Sequence, residues 1–349
     1  MKIENQSRND TYILIPAYKP DQLMIDLLQN LKKEGFDVVV VNDGSGEEYN
    51  KVFEEAKEYA LVLNQDMNRG KGAALRFGFS YINLNPQGHN YVITCDCDGQ
   101  HAVKDIIKID DKLRETNNVV FGCRKFDKSD PKRSRNCNFM SRLCRTLITK
   151  DYIGDDQCGL RGYPIKMLYN LVPIQGNHYE YEMGVVCNLQ MKKMKIEEVP
   201  IETIYINNNS SSHFKPNLDT FRIQRTIWLN AISPLVCALL SMALLLVLTT
   251  ITNWNVYWLL WLSYYAYFQL TALFLIFVWP TKAIGRRFCI DGIYATIKTI
   301  LIGGLFALFY NACHFYPLVA YTLALLLIFL LNFPLAFIAW KIKMKRTKR

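Results

Sequence analysis

Two aspartates with one residue between them, Asp96 and Asp98, follow an apolar stretch in the segment YVITCDCDGQH (91–101). Carboxylate oxygens are the ligands that Mg²⁺ and Mn²⁺ prefer, and the nearby amide of Gln100 offers a third oxygen. A divalent cation held in this way binds phosphates and neutralises a leaving diphosphate. A solvated acidic turn would have the same residues, so the position of the pair in the fold must decide between the two interpretations.

A second segment whose residues could bind a ligand is NRGKGAALRFGF (68–79), which is rich in glycine and carries Lys71. It lacks the G-x-x-x-x-G-K-[ST] pattern of a P-loop, and a tight turn that leads into a helix explains its glycines. The backbone N–H groups at the start of that helix, together with Lys71, would also face a nucleotide diphosphate. The segment is therefore a weaker indication of phosphate binding than the aspartate pair.

Strand and helix patterns alternate in the part of the chain that must position these residues. The predicted strands are 11–17, 37–45, 61–65 and 91–96, and the predicted helices are 21–35, 47–60 and 71–82. This βαβαβαβ order predicts an α/β fold with a mostly parallel sheet and helices on both faces. Ligands bind beyond the carboxyl ends of such strands, which is where Pro16–Tyr18, Asn42–Ser45 and Asp96–Asp98 fall.

The rest of the chain contains four apolar segments, each long enough to cross a hydrocarbon core that needs ~20 helical residues. They are Leu229–Thr250, Trp254–Trp279, Ile293–Cys313 and Tyr316–Trp340. The middle join carries Lys282, Arg286 and Arg287, and the tail KIKMKRTKR is strongly basic, whereas the other two joins are uncharged. Because positive loops stay in the cytoplasm, we expect a multi-pass integral membrane protein whose catalytic domain and C-terminal tail are cytoplasmic.

Composition argues against several classes of function. Much of the net charge of +10 lies near the apolar region, so we expect it to face membrane lipids and phosphate rather than nucleic acid. The ten cysteines show no repeated C-x-x-C pairs, which indicates reduced thiols in a cytosolic domain. The N-terminus has no apolar core and predicts no signal peptide, and the few ionisable residues within the spans give little support to an ion-coupled transporter.

Short segments that match one known family occur in a fixed order between residues 11 and 224. They are IPAYKP, VVVNDGS, NRGKGAAL, DCDGQH, GCRKFDKSDPKRSRNCN, DDQCGLRGY, YEYEM and SSSHFKPNLDTFRI. Together they resemble the family 2 glycosyltransferases that act on polyprenyl phosphates, such as the dolichol-phosphate mannose and glucose synthases and the bactoprenol glucosyltransferases. Two positions depart from the family pattern: Lys19–Pro20 stands in place of Asn–Glu, and Asn42 in place of the first Asp of a pair.

The resemblance implies a GT-A glycosyltransferase domain over 1–220, a juxtamembrane amphipathic segment over 221–228 and a four-helix transmembrane domain over 229–349. The residues implied for the nucleotide-sugar are Pro16, Ala17, Tyr18, Asp43, Lys71 and Asp96. Those for Mg²⁺ or Mn²⁺ are Asp96, Asp98 and Gln100, and those for the acceptor phosphate are Arg124, Arg135, Asn138 and Arg222. The expected catalytic residues are Asp96, Asp98, Arg124 and Arg135.

The implied reaction transfers a sugar from a UDP- or GDP-linked donor to a polyprenyl phosphate. A polyprenyl monophosphate is largely ionised near neutral pH, since its second pKa is about 6. Such a nucleophile needs positioning and charge neutralisation rather than a general base, and its in-line attack on the anomeric carbon would invert the configuration. Arginine forks fit phosphate oxygens bidentately, which explains arginines for the acceptor beside a metal for the donor.

Three alternatives remain open at this point. A processive polysaccharide synthase would carry a Q-x-x-R-W motif, but the corresponding run here is QRTIW (224–228). The membrane segments would suit a lipid-carrier flippase-like protein with an accessory transferase domain. A lipid-binding protein without catalysis is disfavoured by the retained carboxylates and arginines. The sequence does not identify the sugar, the nucleotide, the lipid carrier or the oligomeric state, and a homo-oligomer remains an option.

Overall fold

The computed structural model describes residues 8–124, 132–202, 204, 216–252, 254–260, 262–266 and 300–346. Within these ranges only the backbone is described for residues 132–138, 216–217, 228–238, 241, 332 and 343–346. The chain divides into two compact units. The first comprises Met1–Arg142 with Ile153–Ile227, and the second comprises Leu143–Tyr152 with Trp228–Arg349. The second unit therefore includes a segment that the sequence analysis assigned to the glycosyltransferase domain.

A seven-stranded sheet forms the centre of the first unit. Its strands are β1 (Thr11–Ala17), β2 (Asp37–Asn42), β3 (Leu61–Asn64), β4 (Tyr91–Thr94), β5 (Val119–Arg124), β6 (Arg161–Pro164) and β7 (Ile196–Ile201). They lie in the order β3-β2-β1-β4-β6-β5-β7. All described pairings are parallel except those of β6, which is antiparallel to both β4 and β5. The prediction of an α/β fold with a mostly parallel sheet is confirmed.

The helices of the first unit follow their strands along the chain. They are α1 (Gln22–Lys33), α2 (Asn50–Ala56), α3 (Lys71–Leu84), α4 (Val103–Thr116), the part of α5 (Lys132–Thr149) up to Arg142, α6 (Leu168–Leu171), α7 (Glu180–Met191) and the first turns of α8 (Pro216–Ile251). Asp21 caps α1 by accepting a hydrogen bond from Leu23 N at 3.0 Å. Every residue of β1 is buried, as expected for a central strand that is covered on both faces.

The core on one side of the sheet combines alternate residues of the strands with the apolar stripes of α1 and α4. Its members include Ile13, Ile15, Val38, Val40, Ile93, Met24, Ile25, Leu28, Ile106 and Ile109. Strand β2 ends at Asn42, and the chain then turns through Gly44 at φ +63°, which is the polar turn expected at the end of the segment 37–45. The single helix predicted over 47–60 is wrong: a 3₁₀ turn, Glu47–Tyr49, precedes the shorter α2.

The second unit is helical in its described part. It contains most of α8, short helical stretches within 256–266, α9 (Ile300–Ala312) and α10 (Pro317–Arg346). Among the described residues, Pro317–Ile342 is the segment whose length and composition would allow it to cross a membrane. Helix α8 covers the first predicted span and α10 nearly all of the fourth, whereas 267–299, with half of the second and the start of the third, lies outside the described residues. The four-span arrangement therefore stays a prediction.

Candidate active site

The candidate site lies where the strand order reverses. Strand β1 pairs in parallel with β2 on one side and with β4 on the other, so the chain segments after all three strands emerge at one edge of the sheet. Open α/β sheets bind their ligands in this kind of crevice. The segments that follow the strands contain Tyr18, Asp43 and the Asp96–Asp98 pair, as the sequence analysis expected.

Asp43 fixes the glycine-rich turn in front of α3. Its two carboxylate oxygens accept hydrogen bonds from the backbone N–H groups of Arg69 and Gly70, each at 2.8 Å. Burial raises the pKa of Asp43 above its usual value, although these two bonds oppose the shift. Gly70 has φ +98°, and a side chain there would collide with Asn177 and His178. Asp43 thus acts on the protein backbone, and its predicted contact with the nucleotide stays a prediction.

Lys71 is the first residue of α3 and bridges two carboxylates. Its Nζ lies 2.7 Å from Asp96 Oδ1 and 3.0 Å from Glu182 Oε2. The ammonium also lies 5.5 Å from the ring centroid of Tyr179. Although burial by itself would lower the pKa of Lys71, the two carboxylates raise it well above its usual value. The lysine is therefore a fixed positive charge, and Glu182 is a site residue that the sequence analysis did not identify.

The pKa values of the two aspartates in the D-C-D segment are shifted in opposite directions. Although burial alone would raise the pKa of Asp96, the ammonium of Lys71 lowers it to about 2. Burial and the negative charge of Asp96 raise the pKa of Asp98 to about 6. The Asp98 carboxylate accepts a hydrogen bond from Gln100 N at 3.1 Å. The pair thus carries more negative charge than the neighbouring lysine can compensate.

His101 supports the turn that carries the two aspartates. Its Nδ1 accepts a hydrogen bond from the backbone N–H of Asp96 at 3.1 Å, which requires the imidazole to be unprotonated at that atom. Burial lowers the pKa of His101 to about 4, so the ring is neutral at physiological pH. Gly159 packs against the other side of Asp96, where an added Cβ would lie 2.8 Å from Oδ2. The Asp96 carboxylate is therefore held from several directions.

The donor set at this turn fits a divalent cation of the Mg²⁺ or Mn²⁺ type. Asp96 and Asp98 offer hard carboxylate oxygens, and the half-buried Gln100 offers an amide oxygen. The pKa of Asp98 is raised first by burial and then by the negative charge of Asp96, and a cation at the two carboxylates would offset both effects. Within the described part of the chain, His, Cys, Asp and Glu side chains form no cluster of three or more suited to a metal. The remaining ligands of a cation here would have to come from Gln100, water or the substrate.

Arg124, at the end of β5, forms a partly buried ion pair with Asp155. Its Nε and Nη2 donate to the two oxygens of Asp155 at 2.7 and 3.2 Å, and its backbone N–H donates to Asp155 at 3.3 Å. Although burial alone would raise the pKa of Asp155, Arg124 lowers it. Although burial alone would lower the pKa of Arg124, the Asp155 carboxylate raises it, with a smaller contribution from the charge of Asp96. The arginine therefore lies within electrostatic reach of the aspartate turn, while its role toward the acceptor stays a prediction.

Arg161 joins the segment after Asp155 to helix α7. It is buried and donates hydrogen bonds to the backbone oxygens of Asp156 and Glu182, each at 2.9 Å, and to Cys158 O at 2.8 Å. Its guanidinium also lies over the ring of Phe121, 4.7 Å from the centroid. One side chain thus positions both the Asp155 segment and the backbone of Glu182, a role that the sequence analysis did not predict.

The remaining predicted residues have different surroundings. Pro16 and Ala17 are buried in β1, so a ligand would reach their backbone rather than their side chains. Tyr18 is half-buried in the following turn, and the side chains of Arg135 and Asn138 on α5 lie outside the described residues. Arg222 forms an ion pair with Asp219 one turn earlier on α8, at 3.2 Å. The structure therefore brings Asp43, Lys71, Asp96, Asp98, Gln100 and Arg124 to one edge of the sheet.

Comparison with known proteins places this chain in a family. The profile described as "Glycosyl transferase family 2" matches residues 12–168. An uncharacterized protein of Methanocaldococcus jannaschii is 30% identical over 217 residues, which cover 60% of this chain and 88% of that protein. The chain belongs to glycosyl transferase family 2. The family-level resemblance that the sequence motifs indicated is therefore confirmed.

Several relatives have names that state an activity. The UDP-N-acetylglucosamine–dolichyl-phosphate N-acetylglucosaminyltransferase of Methanococcus voltae is 27% identical, over 56% of this chain and 85% of that protein. The dolichyl-phosphate beta-glucosyltransferase of Saccharomyces cerevisiae is 22% identical, over 54% of this chain and 65% of that protein. Among solved structures, glucosyl-3-phosphoglycerate synthase of Mycobacterium tuberculosis, in complex with Mn²⁺ and UDP, aligns with a TM-score of 0.48 and 12% identity, over 65% of this chain and 81% of that one.

Proposed function

We propose that this glycosyltransferase moves one sugar from a nucleotide-sugar, UDP- or GDP-linked, to a polyprenyl phosphate at the cytoplasmic face of the membrane. The product would be a polyprenyl-phosphate monosaccharide. Membership of family 2 and the relatives named dolichyl-phosphate glycosyltransferases support this substrate class. The observation that carries the proposal is the acidic turn Asp96–Asp98 beside β1, with the Lys71 ammonium bonded to Asp96.

The donor would bind at the aspartate turn. Asp96, Asp98 and Gln100 would hold Mg²⁺ or Mn²⁺, which supplies positive charge to the diphosphate as the sugar leaves. Lys71 presents a permanent ammonium at the same place and is held there by Asp96 and Glu182. Pro16, Ala17, Tyr18 and Asp43 would line the nucleoside part of this site. The chain's own contribution is to fix these charges before the donor arrives, which lowers the cost of reorganisation in the transition state.

The acceptor would bind at the arginines. A polyprenyl phosphate arrives largely ionised, since its second pKa is about 6, so the protein has to orient it rather than deprotonate it. Arg124 is held by Asp155, and a guanidinium has five N–H donors, so this pair does not by itself exhaust its capacity to bind phosphate oxygens. Arg135, Asn138 and Arg222 complete the proposed acceptor set. In-line attack on the anomeric carbon would give inversion.

The proposed membrane arrangement has four spans, with the catalytic domain and the basic tail in the cytoplasm. It is supported by the charge of the predicted joins and by the apolar segment Pro317–Ile342. In a background without other cysteines, an impermeant thiol reagent should label Asn253→Cys in intact cells. It should label Cys289 only after the membrane is opened. The opposite labelling pattern would refute this orientation.

The reaction itself is tested with the full-length protein in detergent. A panel of UDP- and GDP-sugars is incubated with undecaprenyl or dolichyl phosphate, and the mass of the lipid product is measured by mass spectrometry. We expect one donor to give a lipid phosphate that carries a single sugar, and the corresponding free polyprenol to give none. A ladder of sugars would identify a processive synthase instead, and failure of every donor would overturn the proposal.

A further inference from the structure

We propose that Glu182 is a positioning residue that controls cation binding at Asp96, because it shares the ammonium of Lys71 with that aspartate. This inference rests on the proposed function, in which Asp96 is a ligand of a divalent cation. Glu182 lies on α7, far along the chain from both partners, and no motif-based role was expected for it. The property that Glu182 would control is the affinity of the protein for Mn²⁺ in the absence of nucleotide.

The contacts of Lys71 define the arrangement. Its Nζ lies 2.7 Å from Asp96 Oδ1 and 3.0 Å from Glu182 Oε2, so one ammonium serves two carboxylates at once. The side chains of Lys71 and Glu182 are 18% and 12% exposed, and water screens their interaction only in part. A divalent cation on Asp96 must therefore share this carboxylate with a positive charge that is already bound to it.

The backbone around Glu182 keeps this distance short. Arg161 donates a hydrogen bond to Glu182 O at 2.9 Å, and Asn177 O, just before α7, accepts one from Ala73 N on α3 at 3.0 Å. The two helices approach so closely that a Cβ on Gly72 would lie 2.5 Å from the Tyr181 Cβ. Glu182 and Lys71 are consequently held on two closely packed helices, with the ammonium in contact with both Asp96 and Glu182.

Removing the charge of Glu182 and removing the charge of Lys71 should change the affinity for Mn²⁺ in opposite directions. Loss of the Glu182 charge leaves Lys71 with Asp96 as its remaining carboxylate partner among these contacts, so the ammonium neutralises Asp96 more completely and Mn²⁺ binds more weakly. Loss of the Lys71 charge leaves both carboxylates uncompensated, so Mn²⁺ binds more tightly. The same loss removes a positive charge that the diphosphate would use, so a nucleoside diphosphate without metal binds more weakly. If Lys71 only supported the fold, its loss would not raise the affinity for Mn²⁺ while it lowers the affinity for the nucleoside diphosphate.

The test is calorimetric titration of the full-length protein in detergent, first with Mn²⁺ alone and then with UDP or GDP alone. We expect Lys71→Met to tighten Mn²⁺ binding by about tenfold, which corresponds to about 1.4 kcal/mol. We expect Glu182→Gln to weaken it by about three- to tenfold. The matched control is Glu180→Gln on the same helix turn, whose side chain keeps an acceptor for Asn177 N and leaves Mn²⁺ affinity unchanged.

Several results would overturn the inference. They are an absence of Mn²⁺ binding by the wild-type protein, equal affinities in all variants, and shifts of the same sign in Lys71→Met and Glu182→Gln. If Glu182→Gln fails to fold in thermal unfolding, Lys71→Met decides alone, since unchanged or weaker Mn²⁺ binding in that variant contradicts the proposal. Sugar transfer by the wild-type protein is measured separately. Its absence refutes the proposed function and leaves the Mn²⁺ comparison to stand or fall independently.

Discussion

The two charged centres of the site differ in how their charges are compensated. The guanidinium fork of Arg124 meets both carboxylate oxygens of Asp155. Lys71 bridges Asp96 and Glu182, and the carboxylate of Asp98 adds a third negative charge near Asp96, so these four groups carry a net charge of −2 when all are ionised. One divalent cation would balance that charge. The comparison teaches that the charge of Arg124 is matched by a carboxylate of the chain itself, whereas the carboxylates around Lys71 exceed the positive charge that Lys71 provides.

The largest expected effect comes from breaking the ion pair of Arg124 and Asp155. Removing one partner of a fully buried pair typically costs about 3–5 kcal/mol, and because the Arg124 side chain is 26% exposed we expect Asp155→Asn to cost about 3 kcal/mol of folding stability. Unfolding by denaturant in detergent measures the loss. The control is Asp111→Asn, which removes an ion pair with Arg8 at a carboxylate that is 47% exposed and should cost less than about 1 kcal/mol. Equal losses in the two variants would show that the Arg124 pair is no more important than a surface pair.

The second effect concerns activity at the carboxylates around Lys71. Asp98→Ala removes a proposed cation ligand and should lower turnover by roughly 100-fold or more, on the scale of losing several kcal/mol of charge stabilisation. EDTA should lower the activity of the wild-type protein to a similar extent, and Mn²⁺ or Mg²⁺ should restore it. Asp66→Ala, at an exposed carboxylate, is the control. Full activity in EDTA or in Asp98→Ala would remove the metal from the account.

The third and smallest effect is a gain in folding stability, whereas the first is a loss. The pKa of Asp98 is raised to about 6, so the ionised side chain destabilises the metal-free folded protein above that pH. Below about pH 4 the carboxyl is protonated in both the folded and the unfolded chain, and the penalty disappears. Asp98→Asn should therefore stabilise the protein by about 1–3 kcal/mol at pH 7.5 and hardly at all at pH 4. Thermal unfolding in EDTA at the two pH values, with Asp66→Asn as the control, checks both the sign and the window.

The acidic turn could be predicted from the sequence because its information is local. An apolar strand pattern that ends in D-C-D places Asp96 and Asp98 at the edge of the sheet wherever neighbouring strands are parallel. Glu182 and Asp155 could not be found in this way, since their partners Lys71 and Arg124 are far from them along the chain. The motifs YEYEM and DDQCGLRGY marked the correct segments, but a motif does not show which of its side chains faces the site.

The strands after residue 96 show a second limit of the sequence analysis. Alternation of strands and helices predicted a parallel sheet, and it gave no indication that β6 inserts between β4 and β5 in the antiparallel direction. That insertion brings the segment before β6, with Asp155 and Gly159, next to the aspartate turn. Strand patterns describe which residues are buried and do not determine which strands become neighbours. The second half of the site therefore depends on topology that local patterns do not contain.

The division of the site into a donor side and an acceptor side is tested most directly by comparing nucleotide binding with acceptor kinetics in the wild-type protein and two variants. Arg135→Ala is compared with the wild-type protein, with Arg124→Lys as a second variant that keeps the charge and loses the fork. Nucleotide binding is measured by calorimetry with Mn²⁺ present, and KM for the lipid phosphate is measured by initial rates. We expect nucleotide affinity to stay within about twofold, and KM to rise or turnover to fall by roughly 10- to 150-fold, the effect of losing a charge-assisted hydrogen bond. Loss of nucleotide binding in Arg135→Ala with unchanged dependence on the lipid phosphate would contradict the account.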